Sequence, residues 1–433
     1  MQSLNTHAGI VFGRVVLMWL LPLLLLPLMI WFERKVSAFI QDRTGPNRAA
    51  ILGVRLGGVV HTIADVLKLL GKEDVVPAQV HRLYYRLAPL VAIVVAQVLF
   101  VIVPFADDLR IGGDHVGMQA LQLDVGILWP LAVGAIMVYS VVLAGWASNN
   151  KFGTLGGLRA AAQMVSYEVA LGFSIMGAIM IYGTLDLNEI VRQQEELLWG
   201  WLPRWGLFLQ PLGALLFLVA AFAETNRTPF DMAEREAEIV AGFHTEYSGV
   251  RFASFFMAEY VHIVVASGLV TTLFLGGWQI PWVSTEMLRE NAKATLAVLL
   301  SGMLLAGLVC TFLALRWSRR LRVEYAGARR HEGLVLATLF GIVGLVGVVG
   351  LVLLPGLALP AWAPSLLGAL VQFKAFVVKT LVVALGFIWV RWTLPSFRYD
   401  QIMTLGWKQL MPWALVNITV TGIVMLLLGG EGA

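Results

Sequence analysis

Apolar runs about 20 residues long recur through the whole chain, at roughly residues 10–32, 86–105, 127–147, 161–183, 207–223, 253–280, 294–315, 333–357, 369–391 and 411–428. A run of that length crosses the hydrocarbon core of a bilayer as a helix, because only a helix satisfies all of its own backbone donors and acceptors there. The weak alternation of a membrane β-barrel is absent. The expected fold class is therefore an all-α polytopic membrane protein of about ten transmembrane helices. With 59% hydrophobic and 13% charged residues, the chain is not a water-soluble globule with a buried core. The first run is long and is not followed by a small-residue cleavage site, so it reads as a retained span.

Charge sets the orientation. Of 31 Lys and Arg, 23 fall in alternate loops at 33–86, 148–160, 224–252, 316–332 and 391–410, while Arg14, Arg110, Arg192, Arg204, Arg289 and Lys293 lie on the other side. The positive-inside rule then puts both chain ends outside and those loops in the cytoplasm. A net charge of +4 reports these basic loops and calls for no nucleic-acid partner.

One loop departs from its surroundings. Residues 224–246 carry six carboxylates (Glu224, Asp231, Glu234, Glu236, Glu238 and Glu246) between two long apolar runs. Thr228-Pro229-Phe230-Asp231 has the form of a helix start, with Thr as N-cap, Pro first in the helix and Asp closing a capping box. A helix from there would place Asp231, Glu234 and Glu238 on one face at i, i+3 and i+7. The plain alternative is a solvated loop. Spans bearing further carboxylates on either side favour instead a coupled set that can hold, lose or move protons.

Further charges sit within or beside the spans. Glu168 and Glu259 lie inside apolar runs, where an unpaired ion costs several kcal/mol and marks a functional site by default; snorkelling to the interface is the competing reading for Glu168. Lys374 and Lys379 share a span five residues apart, and one is expected to pair with a carboxylate of a neighbouring helix. In the first basic loop, Ile63, Val66, Leu67 and Leu70 form an apolar face opposite Asp65, Lys68 and Lys72, which predicts an amphipathic helix on the membrane surface. Arg391 and Arg398, near the end of the chain, are candidate counterions for the acidic loop.

A single cysteine, Cys310, excludes an internal disulfide and a cysteine-ligated iron–sulfur cluster in this chain. The seven His lack ligand spacing, so no metal site is expected.

Eight strings then occur in a fixed order: Glu33-Arg34-Lys35, Asp42-Arg43-Thr44-Gly45-Pro46-Asn47, Ala64-Asp65-Val66-Leu67-Lys68, Ser166-Tyr167-Glu168, Ala223-Glu224-Thr225-Asn226-Arg227-Thr228-Pro229-Phe230-Asp231, Glu246-Tyr247-Ser248-Gly249, Phe256-Met257-Ala258-Glu259-Tyr260 and Arg398-Tyr399-Asp400-Gln401. Together they resemble the quinone-chamber membrane subunit of respiratory complex I, the H-type, mitochondrial subunit 1-like family of NADH:quinone oxidoreductase, over about residues 8–280 and 369–428. The resemblance implies a chain that is not catalytic alone. It would form the tunnel by which a lipid quinone reaches the peripheral arm, and couple quinone reduction to proton translocation. It implies no cofactor on this chain, with FMN and iron–sulfur clusters in partner subunits that take electrons from NADH. The implied partners are the peripheral-arm quinone-site subunits, the antiporter-like and small membrane subunits, quinone and lipid. Arg34, Arg43, Asp65, Lys68, Arg391 and Arg398 would line the tunnel or meet the peripheral arm. Glu33, Glu168, Glu224, Arg227, Asp231, Glu234, Glu236, Glu238 and Glu259 would serve proton coupling. The implied location is a bacterial-type inner membrane with the acidic loop on the cytoplasmic side.

The family has eight spans. Here residues 281–365 add an expected inserted pair, dividing the chain into 1–280, 281–365 and 366–433. Other readings are the equivalent subunit of a membrane-bound hydrogenase or of a ferredoxin- or F420-dependent complex, a cation or proton transporter, or a structural scaffold.

Overall fold

The computed structural model describes residues 2–51, 54–111, 114–324, 331–360 and 362–429. In chain order the helices are α1 (Gln2–Ile40), α2 (Val60–Gly71), α3 (Arg82–Phe100), α4 (Leu128–Ala147), α5 (Lys151–Tyr182), α6 (Leu187–Gln193), α7 (Gly206–Leu209), α8 (Pro211–Glu224), α9 (Glu236–Ile239), α10 (Gly249–Phe274), α11 (Thr285–Glu290), α12 (Ala292–Glu324), α13 (Glu332–Leu353), α14 (Ala363–Thr393), α15 (Tyr399–Thr404) and α16 (Met411–Gly429). Among the described residues, nine helical segments are long and apolar enough to cross a bilayer, and α8 is a shorter apolar helix. The chain is an all-α polytopic membrane protein. Among the described residues, strands form two small antiparallel hairpins, Ala106–Ile111 with Asp114–Met118 and Leu197–Leu198 with Leu202–Pro203.

Several element ends differ from the hydropathy reading: α5 begins at Lys151 rather than near 161, α14 at Ala363 rather than near 369, and α12 runs on to Glu324, into the loop expected at 316–332. The first helix continues to Ile40, because no Gly or Pro follows Pro27 until Gly45-Pro46. The run expected at 207–223 divides at Gln210 into α7 and α8. Pro211 starts the second piece without needing a donor, and the Gln210 side chain bonds α16, donating to Thr421 Oγ1 (2.7 Å) and accepting from Asn417 Nδ2 (2.9 Å).

Helix α10 is the centre of the bundle, with 83% of its apolar window buried inside the chain against 6% for α12. It packs on α3, α14 and α1, and α5 carries α4, α8 and α16. The α12–α13 pair forms a peripheral hairpin resting on α14. Its backbones touch at Gly307, where a Cβ would stand 2.5 Å from Gly344 Cα; small residues allow this close approach in lipid, where burial of apolar surface supplies little drive.

The end of the bundle opposite the acidic loop is closed by polar contacts. Arg192 pairs with Asp107 (2.9 Å) and Asp108 (2.8 Å), and Arg289 with Asp107 (3.0 Å). Lys379 does not meet a carboxylate as expected. Its Nζ donates to the carbonyls of Leu275 (2.7 Å), Gly277 (3.1 Å) and Gln279 (2.6 Å) and stands over the Trp205 ring. These carbonyls follow the end of α10, where unpaired oxygens attract a cation.

Candidate functional site

Residues 225–248 join α8 to α10, and the helix expected from Thr228 does not form; the loop holds only the short α9, Glu236–Ile239, and a 3-10 turn, Gly242–His244. The backbone groups that a helix would use internally are bonded from outside. Gln163 of α5, fully buried, donates from Nε2 to the carbonyls of Ala223 (2.5 Å) and Phe230 (2.8 Å) and to Asn226 Oδ1 (3.1 Å). Phe397 N–H donates to the Pro229 carbonyl (3.0 Å). A capping box is worth about 1 kcal/mol, too little to compete with several buried hydrogen bonds. Asp231, Glu234 and Glu238 therefore do not share a helix face. Beyond α9 the loop doubles back at Gly242 (φ +54°), where a Cβ would overlap the Ala233 carbonyl oxygen.

Folding the loop this way drives Arg227 into the bundle. It is 4% exposed, its Nη2 lies 2.7 Å from Glu259 Oε2, and its guanidinium stacks on Tyr260 (4.7 Å) and Phe256 (5.2 Å). Glu234 lies within hydrogen-bonding reach of Glu259 and receives His244 Nδ1 at 2.6 Å. On the other flank, Tyr260 Oη donates to Glu33 of α1, which also pairs with Arg391 of α14. One buried cluster thus draws on the loop, α1, α10 and α14.

The loop carboxylates are electrostatically unlike. Burial pushes the Asp231 carboxyl up, the neighbouring Glu234 charge adds to this, and Arg391 and Arg227 oppose it, leaving it at about 6. Burial also works against the Glu234 charge, but His244 and Arg227 outweigh it and hold that carboxyl below the usual range. The two therefore respond oppositely to pH. The raised Asp231 contributes stability that is full below the unfolded carboxyl value and lost as pH rises through about 6. The lowered Glu234 contributes stability present above its unfolded value and lost as pH falls. A carboxyl infrared band titrating near pH 6 is expected in the intact protein and is expected to vanish in Asp231→Asn; its persistence would assign the band to another group.

Glu234, His244 and Glu259 each offer a ligand atom, all within 4.8 Å of one another. Arg227 also stands against Glu259, so a guanidinium charge faces this cluster.

Deeper in the bundle, Glu224 ends α8 with Oε1 3.6 Å from His262 Nε2. Both border a cavity of ≈ 30 Å³ walled by Leu99, Leu171, Phe217 and Val265, enough for a single water. Glu168 of α5 is near enough for its charge to act on Glu224.

At the surface, Arg34 pairs with Asp65 at 2.5 Å, joining α1 to α2. The predicted apolar face of α2 is outward, with Ile63, Val66, Leu67 and Leu70 all exposed. Arg34, Arg43, Arg48 and His61 border an open cavity of ≈ 490 Å³.

A family model described as NADH dehydrogenase matches residues 13–343 and 320–422. The H-type chain of the NADH-quinone oxidoreductase of Bdellovibrio bacteriovorus is 38% identical over 432 residues, covering 95% of each chain. An H-type chain of the same enzyme from Solibacter usitatus is 40% identical over 395 residues and 91% of each chain, and subunit 8 of the Rhodothermus marinus enzyme is 38% identical over 402 residues and 93% of each. The chain belongs to the NADH dehydrogenase family.

Within this family member, the structure brings together Glu33, Arg227, Glu234, Glu259 and Arg391, with Glu224 and Glu168 further into the bundle. It separates others. Arg391 has Glu33 as its counterion and Arg398 has Asp400 (3.4 Å), so neither pairs directly with the acidic loop as expected. Glu238 turns outward to Arg159 (2.8 Å) and Arg235 (3.0 Å). Lys68 and Arg43 are exposed, and the Glu236 side chain lies outside the described residues. Sequence reasoning missed His244, Tyr260 and His262. The spacing of His262 three residues after Glu259 puts both on one stretch of α10 and was a usable signal; His244 had none beyond its acidic neighbourhood.

Proposed function

We propose that this chain is the membrane subunit of a proton-pumping NADH:quinone oxidoreductase, forming the quinone access tunnel with its peripheral-arm partners and passing the consequence of quinone reduction into the membrane. The observation that carries this reading is the succession of buried and half-buried ionisable groups, from Arg391–Glu33–Tyr260 through Arg227–Glu259–Glu234–His244 toward Glu224, His262 and Glu168. Groups so costly to bury are kept for a use. Arg34, Arg43, Asp65 and Lys68 would border the tunnel mouth, with Arg391 and Arg398 beside it. The reading places the chain in a bacterial-type inner membrane with the acidic loop in the cytoplasm. NADH, FMN and iron–sulfur clusters would belong to partner subunits, and the antiporter-like and small membrane subunits would adjoin the bundle. The α12–α13 pair is read as an insertion into an eight-span family pattern.

Reduction of a neutral quinone takes up two electrons and two protons. Withdrawing protons beside Asp231 and Glu234 changes the local charge, and coupled carboxylates redistribute their protons in response. Tyr260 and Arg391 hold Glu33, and Arg227 holds Glu259, in position for that response. Replacing Glu234 by Gln weakens the contact with His244 and removes one of the coupled charges. The assembled complex is expected to lose most of its proton-coupled quinone reductase activity, and unchanged turnover with unchanged proton stoichiometry would overturn the reading.

A further inference from the structure

We infer that Glu332, the first residue of α13, is a positioning residue for quinone entry: it fastens the loop that covers the end of α1, and through that loop the α12–α13 pair sets the mouth of the path between α1 and α2. This rests on the tunnel reading above and deepens it.

Glu332 is 1% exposed, and a carboxylate withdrawn from water that far needs partners. A helix-dipole role alone would be served by an exposed acid at the same position. Its Oε1 instead accepts the backbone N–H of Arg55 at 3.1 Å, across 277 positions of chain, and its charge acts on Lys35 of α1. The same stretch is fastened at further points. Arg55 Nη1 donates to the Asn47 carbonyl (3.0 Å), Lys35 Nζ to the Thr44 carbonyl (2.9 Å), and Trp31 Nε1 to the Gly57 carbonyl (3.1 Å). Contact with α1 is close, since a Cβ on Gly45 would stand 3.0 Å from Ala38 Cβ.

The backbone of the anchor is closely packed. Gly333, next to Glu332, is pressed on α12, with a Cβ there falling 2.6 Å from Ser318 Cα, so the backbone at Glu332 cannot move off α12 without parting the hairpin. The fastened segment leads directly into α2, which carries Asp65 against Arg34 at 2.5 Å. Glu332 touches no substrate; it acts through the loop on the spacing of Arg34 and Asp65.

The test uses the intact complex carrying Glu332→Ala or Glu332→Gln. Activity is measured with a long-tailed membrane quinone, with a short-tailed soluble quinone, and with ferricyanide, which needs no quinone path. Loss of one anchoring hydrogen bond in Glu332→Ala is expected to raise KM for the long-tailed quinone about fivefold, with a smaller rise for the short-tailed one and ferricyanide reduction unchanged. Glu332→Gln keeps an oxygen for the Arg55 N–H and is expected to stay within about twofold of the parent. A parental KM for the long-tailed quinone in Glu332→Ala overturns the inference. So does an equal loss with all three acceptors, which would make the residue merely structural. A parent complex that reduces neither quinone with NADH overturns the tunnel reading and this inference with it, and is told apart because no substitution is needed to see it.

Discussion

Replacing Arg227 by Met is expected to abolish function while leaving a chain that still inserts. The guanidinium is 4% exposed, faces Glu259 at 2.7 Å and stacks on Tyr260. Methionine fills much of the volume but leaves Glu259 and Glu234 buried around no cation. Removing one partner of a buried ion pair costs about 3–5 kcal/mol, enough to move the loop from its native position in most molecules. NADH:quinone activity per assembled complex should fall more than about tenfold. Adding Glu259→Gln to Arg227→Met removes the stranded charge, so the amount of assembled complex should recover even if activity does not. Full activity in the single variant would mean that the ion pair is incidental.

The second large effect is expected at Gly242. Its φ of +54° already disfavours any side chain, and a Cβ would overlap the Ala233 carbonyl oxygen. Left-handed backbone costs a non-glycine residue about 1–2 kcal/mol, and forced repacking adds about 1–3 kcal/mol. The required shift falls on Ala233, the residue before Glu234, and so pulls that carboxylate away from His244. Gly183, at the end of α5, has a similar φ of +64° but nothing within 4 Å of a Cβ. Gly242→Ala should therefore lose most quinone reductase activity, whereas Gly183→Ala should leave it nearly intact. Equal effects at the two glycines would show that backbone strain alone, and not the position of Glu234, is what matters.

The spans are legible in the sequence because hydropathy over about 20 residues is a local property, and the carboxylates Glu168 and Glu259 are legible because an acid in an apolar run stands out. The loop misleads for the opposite reason. Thr228-Pro229-Phe230-Asp231 has every local mark of a helix start, yet its conformation is decided by Gln163, Phe397 and Arg227, groups brought in by the fold. Counterions are equally beyond reach. That Arg391 meets Glu33, and that Lys379 closes the end of α10, depends on how α14 lies against α1 and α10. Glu332 ends the basic loop expected at 316–332, and nothing local indicates that it is buried.

The most direct test of the central claim is to isolate the complex from native membranes through a tag on this chain, identify the co-purifying subunits, and measure NADH-driven quinone reduction with proton uptake in liposomes. The account predicts quinone-site-inhibitor-sensitive turnover that moves protons, with peripheral-arm subunits attached. A complex that runs on hydrogen or ferredoxin, or a lone chain that transports solute, would contradict it.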